Sequence, residues 1–94
     1  MKAIWNGKVI AQSNETISLE NNSYFPEDSI NKEFFDKSGL NTICPWKGEA
    51  SYYHLKVDGE VNEDAAWYYP NPKYAAERIK NYVAFWRGVQ IIND

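Results

Sequence analysis

The stretch "EASYYHLKVDGEVNEDAAWYY", residues 49–69, decides the fold. It reads as two strands joined at Asp58-Gly59, a pair favoured in type I′ hairpin turns because both residues accept positive φ. Two registers compete. A two-residue turn sets Tyr53 opposite Asp64 and His54 opposite Glu63, and it mixes polar with apolar side chains on both faces. A three-residue loop that includes Glu60 pairs Val57 with Val61 and Leu55 with Glu63. It gathers Tyr53, Leu55, Val57, Val61, Ala65, Trp67 and Tyr69 on one face, leaving Tyr52, His54, Lys56, Asn62, Asp64 and Tyr68 on the other. A one-residue slip exchanges the faces of a strand, so burial specifies register more firmly than turn identity and favours the second. In either register an acidic side chain stands across from His54.

Outward from this hairpin the chain keeps the grammar of short strands and tight turns. "AIW-NG-KVIAQ" brackets Asn6-Gly7 with apolar runs, and "TISLE-NN-SYF" places Asn21-Asn22 in the same role, a meander of four short strands. In "PEDSINKEFF" the proline, the acidic first turn and the spacing of Ile30, Phe34 and Phe35 predict a short helix ending before Ser38-Gly39. "LNTIC" is a further strand that runs into "CPWKG". "PNPKYAAERIKNY" predicts a helix of about two turns, capped by Asn71 with Pro72 at its first position. Continuation of that helix to Phe85 is the alternative to a closing strand pair in "YVAFW" and "VQII". The fold class is mainly β, antiparallel, with one or two short helices in one domain over residues 1–94.

Composition narrows the function. Ten basic residues against thirteen acidic give a net charge of −3 with no basic stripe, so nucleic acid is not an expected partner. One cysteine and one histidine form neither an internal disulfide nor an ordinary structural zinc site, and no metal or cofactor is implied. The start carries no apolar run of signal-peptide type and no segment approaches membrane-spanning length. The expectation is a reduced cytoplasmic protein without a membrane partner. Aromatic residues are 16% of the chain and concentrate after residue 44, which suits a small core or a ligand-lined cleft.

Few side chains could carry chemistry. Cys44 would need a neighbouring cation or base to act as a nucleophile, and Lys47 and His54 are the candidates to supply it. Otherwise it is a small buried apolar side chain. Pro45 and Gly48 make a bend at whose tip Lys47 could meet phosphate or carboxylate as a point charge. His54 with Asp64 could serve as acid and base. The pairs Tyr52-Tyr53 and Tyr68-Tyr69 send one ring to each side of the sheet. Outward rings beside Trp46 could then wall a cleft.

The order "WNG", "YFP", "CPWKG", "YY", "VDG", "AAWYYP" and "VAFWRGV" resembles the domain of unknown function 427 family over nearly the whole chain, from Ala3 to about Ile92. The resemblance implies a compact antiparallel β fold of the β-tent (Mss4-like) kind, here without the paired CxxC motifs of zinc-binding relatives. The family also carries a nucleotidyltransferase label. Such chemistry normally needs metal-holding carboxylates beside a phosphate-binding element, and no spaced Asp pair in a glycine-rich setting is present. The family's shared positions fall on Cys44, Trp46, Lys47, Gly48, Tyr52, Tyr53, Asp64, Trp67, Tyr68, Tyr69 and Pro70, implying one structural or functional centre.

Three function classes follow. The first is a domain that binds a small polar or anionic ligand through Trp46, Lys47, Tyr52, His54, Asp64 and Tyr68. The second is an enzyme using Cys44, or His54 with Asp64. The third is a protein-interaction module displaying an aromatic patch.

Overall fold

The computed structural model describes residues 1–93. Among these residues nine strands fall into three sheets. β1 (Lys2–Trp5), β2 (Lys8–Gln12) and β9 (Gln90–Ile92) form one, in the order β2-β1-β9. β3 (Ile17–Leu19) and β4 (Asn22–Tyr24) pair only with each other. β5 (Phe35–Cys44), β6 (Gly48–Val57), β7 (Glu60–Tyr68) and β8 (Val83–Phe85) form the third, in chain order. Every strand pairing is antiparallel. Among the described residues no helix is long and apolar enough to cross a membrane.

The four-stranded sheet divides the core in two. Against one face, Leu55, Val57, Ala66 and Phe85 pack with Ala3, Ile10 and Phe25. On the other, Ala50, Tyr69 and Ala84 pack with Tyr24, Ala76 and Ile79. Paired backbone hydrogen bonds between Phe25 and Val83, both 2.8 Å, stitch the β3–β4 hairpin to the edge of β8. Thus the first four strands do not form one meander. β1 and β2 belong to the sheet closed by β9, while β3 and β4 cover the other end. Nor do the last two strands pair together, since β8 joins β7 and β9 joins β1.

The central hairpin adopts the two-residue turn rather than the three-residue loop. Asp58 and Gly59 have φ of 51° and 81°, and Val57 pairs with Glu60, Lys56 with Val61 and Leu55 with Asn62. Burial is then met further along by a bulge. Past His54 the register shifts, so Tyr53 pairs with Ala66, Tyr52 with Trp67 and Ser51 with Tyr68. Asp64, at φ 54°, lies in the extra backbone. Consecutive Ala65 and Ala66 consequently both enter the same core cluster, which a regular strand would forbid. The faces differ from those of the loop register: Tyr52 now shares a side with Trp67, and Tyr53 with Tyr68.

Local turns account for the remaining differences. The β3–β4 turn is Glu20-Asn21, at φ 53° and 64°, one residue earlier than Asn21-Asn22. In place of a helix over "PEDSINKEFF" there are two 3₁₀ turns, Glu27–Ser29 and Lys32–Phe34, and Phe35 already starts β5. The strand continues through Ser38-Gly39 with an irregularity between Lys37 and Asn41. Tyr74–Ile79 is likewise 3₁₀, broken at Ala76 and entered through Lys73 without a side-chain cap, and the chain is extended again by Val83.

The corner between β5 and β6 is Pro45-Trp46-Lys47, closed by the pairing of Cys44 with Gly48. Gly48 has φ 117°, and a Cβ there would lie 3.4–3.5 Å from the backbone of Lys73, Asn71 and Pro72. The same segment fastens the corner, Lys73 N–H donating to Lys47 O at 2.8 Å. We expect Gly48→Ala to destabilise the fold by about 1–3 kcal/mol, because only glycine adopts this φ without strain. Gly39→Ala, in open space without positive φ, is the control and should leave stability unchanged or slightly raised. Urea unfolding of the two variants checks this, and equal effects would remove the conformational explanation.

Candidate functional site

Lys47 is the only buried charged side chain among the described residues, 7% exposed. The tight corner turns it back against the sheet instead of out to solvent. Its ammonium forms an ion pair with Glu20 and lies 5.3 Å from the ring centre of Trp46 and 5.6 Å from that of Tyr69. Trp46 Nε1 donates to the other carboxylate oxygen of Glu20 at 3.3 Å. Burial by itself would lower the Lys47 pKa. The Glu20 hydrogen bond, with smaller contributions from Tyr24, Tyr69 and Cys44, overcomes it and leaves the value raised. Lys47 is therefore a held positive charge and not a free amine poised as a nucleophile.

Over this charge opens a cleft of about 230 Å³ lined by Lys47, Tyr52, Trp67, Tyr69 and Trp86. β6 contributes Tyr52, whose hydroxyl lies 2.9 Å from Thr42 Oγ1. β7 contributes Trp67, whose Nε1 donates to Tyr24 Oη at 3.3 Å. Trp86 follows β8 and meets Trp67 edge to face, with ring centres 6.2 Å apart. Its Nε1 donates to Asp64 O at 2.6 Å, and the guanidinium of Arg87 covers its ring at 4.4 Å. Each of these three walls is thus held by a hydrogen bond at its polar atom, while much of its ring area stays available.

His54 and Asp64 meet at the residue whose carbonyl holds Trp86. His54 Nδ1 accepts the Asp64 N–H at 3.0 Å, so the neutral ring carries its proton on Nε2. The Asp64 carboxylate is 3.6 Å from the same nitrogen and accepts a hydrogen bond from Ser38 Oγ. Ser38 thus faces the carboxylate and not the imidazole, the reverse of a nucleophile held by its base. The acid side chain across from His54 is present, and it is Asp64 through the bulge.

The sequence-derived candidates are divided among several places. Lys47 and Tyr52 line the cleft, Trp46 flanks Lys47, and His54 and Asp64 reach its rim only through the Asp64–Trp86 hydrogen bond. Tyr68 lies on the opposite face, stacked on Tyr53 at 4.7 Å. Cys44 is half-buried and packs against the second core cluster. It stands at the Gly48 end of β6, six residues from His54, or about 20 Å at strand rise. No Cys–His pair forms. Glu20, Ser38 and Trp86 were not singled out by the sequence reading. The motif "VAFWRGV" carries Trp86, but no local signal marks Glu20 or Ser38.

The pair and the buried phenols fix a pH response. The Lys47 hydrogen bond, opposed by some desolvation, lowers the Glu20 carboxyl below its ordinary 4.5. That contribution is complete above pH 4.5 and disappears as pH falls through the lowered folded value. Lys47 is raised above 10.5, so its contribution is complete below 10.5 and lost as pH rises through the raised value. Burial pushes Tyr53 and Tyr69 from 10.0 to about 12, so the stability they confer when neutral falls between those values. Stability should thus fall below pH 4.5 and above pH 10. In Glu20→Gln the acid limb should be shallower. Unfolding free energies across pH check both limbs, and an unchanged acid limb in that variant would refute the role of the pair.

No curated protein matches this chain. A family model described as Domain of unknown function (DUF427) matches residues 1–94. The chain belongs to the domain of unknown function 427 family.

Proposed function

We propose that this domain binds a small planar molecule, polar or anionic, in the aromatic cleft over Lys47. The observation that carries this reading is the buried ammonium at the base of an aromatic cleft. Burying a charge is unfavourable unless it is well partnered, and one partially exposed carboxylate does not use all three ammonium donors. A ligand acceptor or anion would complete them. The ring walls supply stacking area, and their hydrogen bonds to Thr42, Tyr24 and Asp64 reduce the ordering needed on binding.

Size limits the ligand. A volume of about 230 Å³ lies below the roughly 300–1,000 Å³ typical of drug-sized sites. One planar ring bearing a carboxylate, amide or similar group suits it. Backbone strain also gathers at this rim. Among the described residues, Glu20 and Arg87 are the positive-φ positions that are not Gly, Asn or Asp, and they flank Lys47 and Trp86.

A thermal-shift panel of small aromatic carboxylates and amides tests the reading. A ligand at about a hundred times its Kd should stabilise by roughly 2.7 kcal/mol, seen as a rise of several degrees in Tm. The rise should vanish in Lys47→Met, which keeps the apolar stem, and in Trp86→Ala. A panel without stabilisers, or stabilisers acting equally on both variants, would overturn the assignment.

A further inference from the structure

A second, larger cavity of about 500 Å³ opens on the opposite face of the four-stranded sheet. We infer that it is a separate anion site, built for a phosphate monoester with a small apolar body. Tyr53 and Tyr68 form its centre, stacked at 4.7 Å with 24° between their planes. Lys37 stands directly across from Tyr53 in the β5–β6 register and therefore on the same face, and Lys32 joins it from the preceding 3₁₀ turn. Neither lysine has an ion-pair partner among the described residues. In the cleft over Lys47, by contrast, Glu20 already takes one of the ammonium's three donors.

The lining matches the proposed ligand in both halves. Two ammoniums, one phenol hydroxyl and the Asn81 side chain supply donors for the three oxygens of a phosphate, more than a carboxylate could accept. Burial, followed by the neighbouring Tyr68 hydroxyl, raises the Tyr53 phenol to about 12, so its proton is shared with Tyr68 and the Tyr68 hydroxyl is the one left to donate. Asn81 is held in the left-handed conformation at φ 62°, its N–H donating to Tyr69 O at 3.1 Å. Ile30, Phe35 and Pro70 provide the apolar wall for the body. Glu27 is the single acidic residue of the lining, which leaves a formal charge of +1 and opposes an anion. That opposition makes the proposal directional: removing Glu27 must strengthen what removing the lysines weakens.

The site is independent of the cleft over Lys47, and one NMR titration separates them. The ¹⁵N-labelled protein is titrated with phenyl phosphate, inorganic phosphate and benzyl alcohol in separate series. Phenyl phosphate should give saturable shifts at the amides of Lys32, Lys37, Tyr53 and Tyr68, and neither of the other probes should bind as tightly. Lys32→Gln and Lys37→Gln, both at exposed positions, should each weaken binding about two- to fivefold, and Glu27→Gln should tighten it by a similar factor. Binding should persist in Lys47→Met, whose fold the same spectra report. Absent saturation, lysine variants with unchanged affinity or weaker binding in Glu27→Gln would overturn the inference. So would inorganic phosphate or benzyl alcohol binding as tightly as phenyl phosphate, or loss of binding in Lys47→Met.

Discussion

The left-handed residue Asp64 sets what each face of the molecule presents. The two-residue turn at Asp58-Gly59 fixes β6 against β7 near the tip, where Leu55 meets Asn62. Without extra backbone, that register would carry polar Asp64 to Tyr53 and turn the aromatic run that follows to the wrong sides. The bulge restores the match between turn chemistry and burial. Three contacts hold it: His54 Nδ1 accepts the Asp64 N–H, Ser38 binds its carboxylate, and Trp86 binds its carbonyl. The last of these also aims Trp86 into the aromatic cleft. A backbone irregularity in one strand thereby positions a ring from the segment after another.

Electrostatics ties the opposite end of the same sheet to the β3–β4 hairpin. Lys47 and Glu20 are unequal partners, the lysine 8% and the glutamate 47% exposed in their side chains. The pair is therefore not a fully desolvated bridge, in which attraction must offset two large solvation losses. Glu20 remains partly hydrated while its charge reaches inward. Holding it there requires a left-handed glutamate in the β3–β4 turn, a conformation that Asn or Gly would adopt with less strain. The strain is consistent with the position being chosen for its carboxylate rather than for the turn.

The turn chemistry was legible in the residues. Asn6-Gly7 occupies the two-residue turn read from it, and Asp58-Gly59 carried the same signal although burial had favoured the three-residue loop. So was the splitting of each tyrosine pair between two sides, though not the grouping: Tyr52 shares a cavity with Tyr69, and Tyr53 with Tyr68, where the loop register joined Tyr53 to Tyr69. Pro45 and Gly48 do shape the corner, with Lys47 turned inward from it. What local pattern could not show depends on partners far along the chain. The bulge needs Ser38 and Trp86, 26 and 22 residues from Asp64, and Lys47 needs Glu20, 27 residues away. Weighing turn identity against burial assumed a regular strand, in which only one can prevail. Spacing of Ile30, Phe34 and Phe35 likewise fits a helix, but Phe35 packs from β5 against Tyr53 and Phe85. Tertiary packing overrode local propensity there.

The adjacent tyrosines at 52–53 and 68–69 explain how one thin sheet can wall two cavities. In a strand, neighbouring side chains leave on opposite sides, so each pair places an aromatic ring in both layers at the same height. Cross-strand pairing then sets the two pairs diagonally, with Ser51 opposite Tyr68 and Tyr53 opposite Ala66, so that Tyr53 and Tyr68 meet as diagonal neighbours on one face. The electrostatic surroundings of the two sides differ. On one, the cation is buried and paired with Glu20. On the other, Lys32 and Lys37 stand beside the tyrosine stack without an ion-pair partner among the described residues. Stacking surface is common to both sides, and charge is what distinguishes them. The two faces therefore differ in electrostatics more than in their share of aromatic rings, a difference that follows from which strand neighbours each tyrosine pair is given.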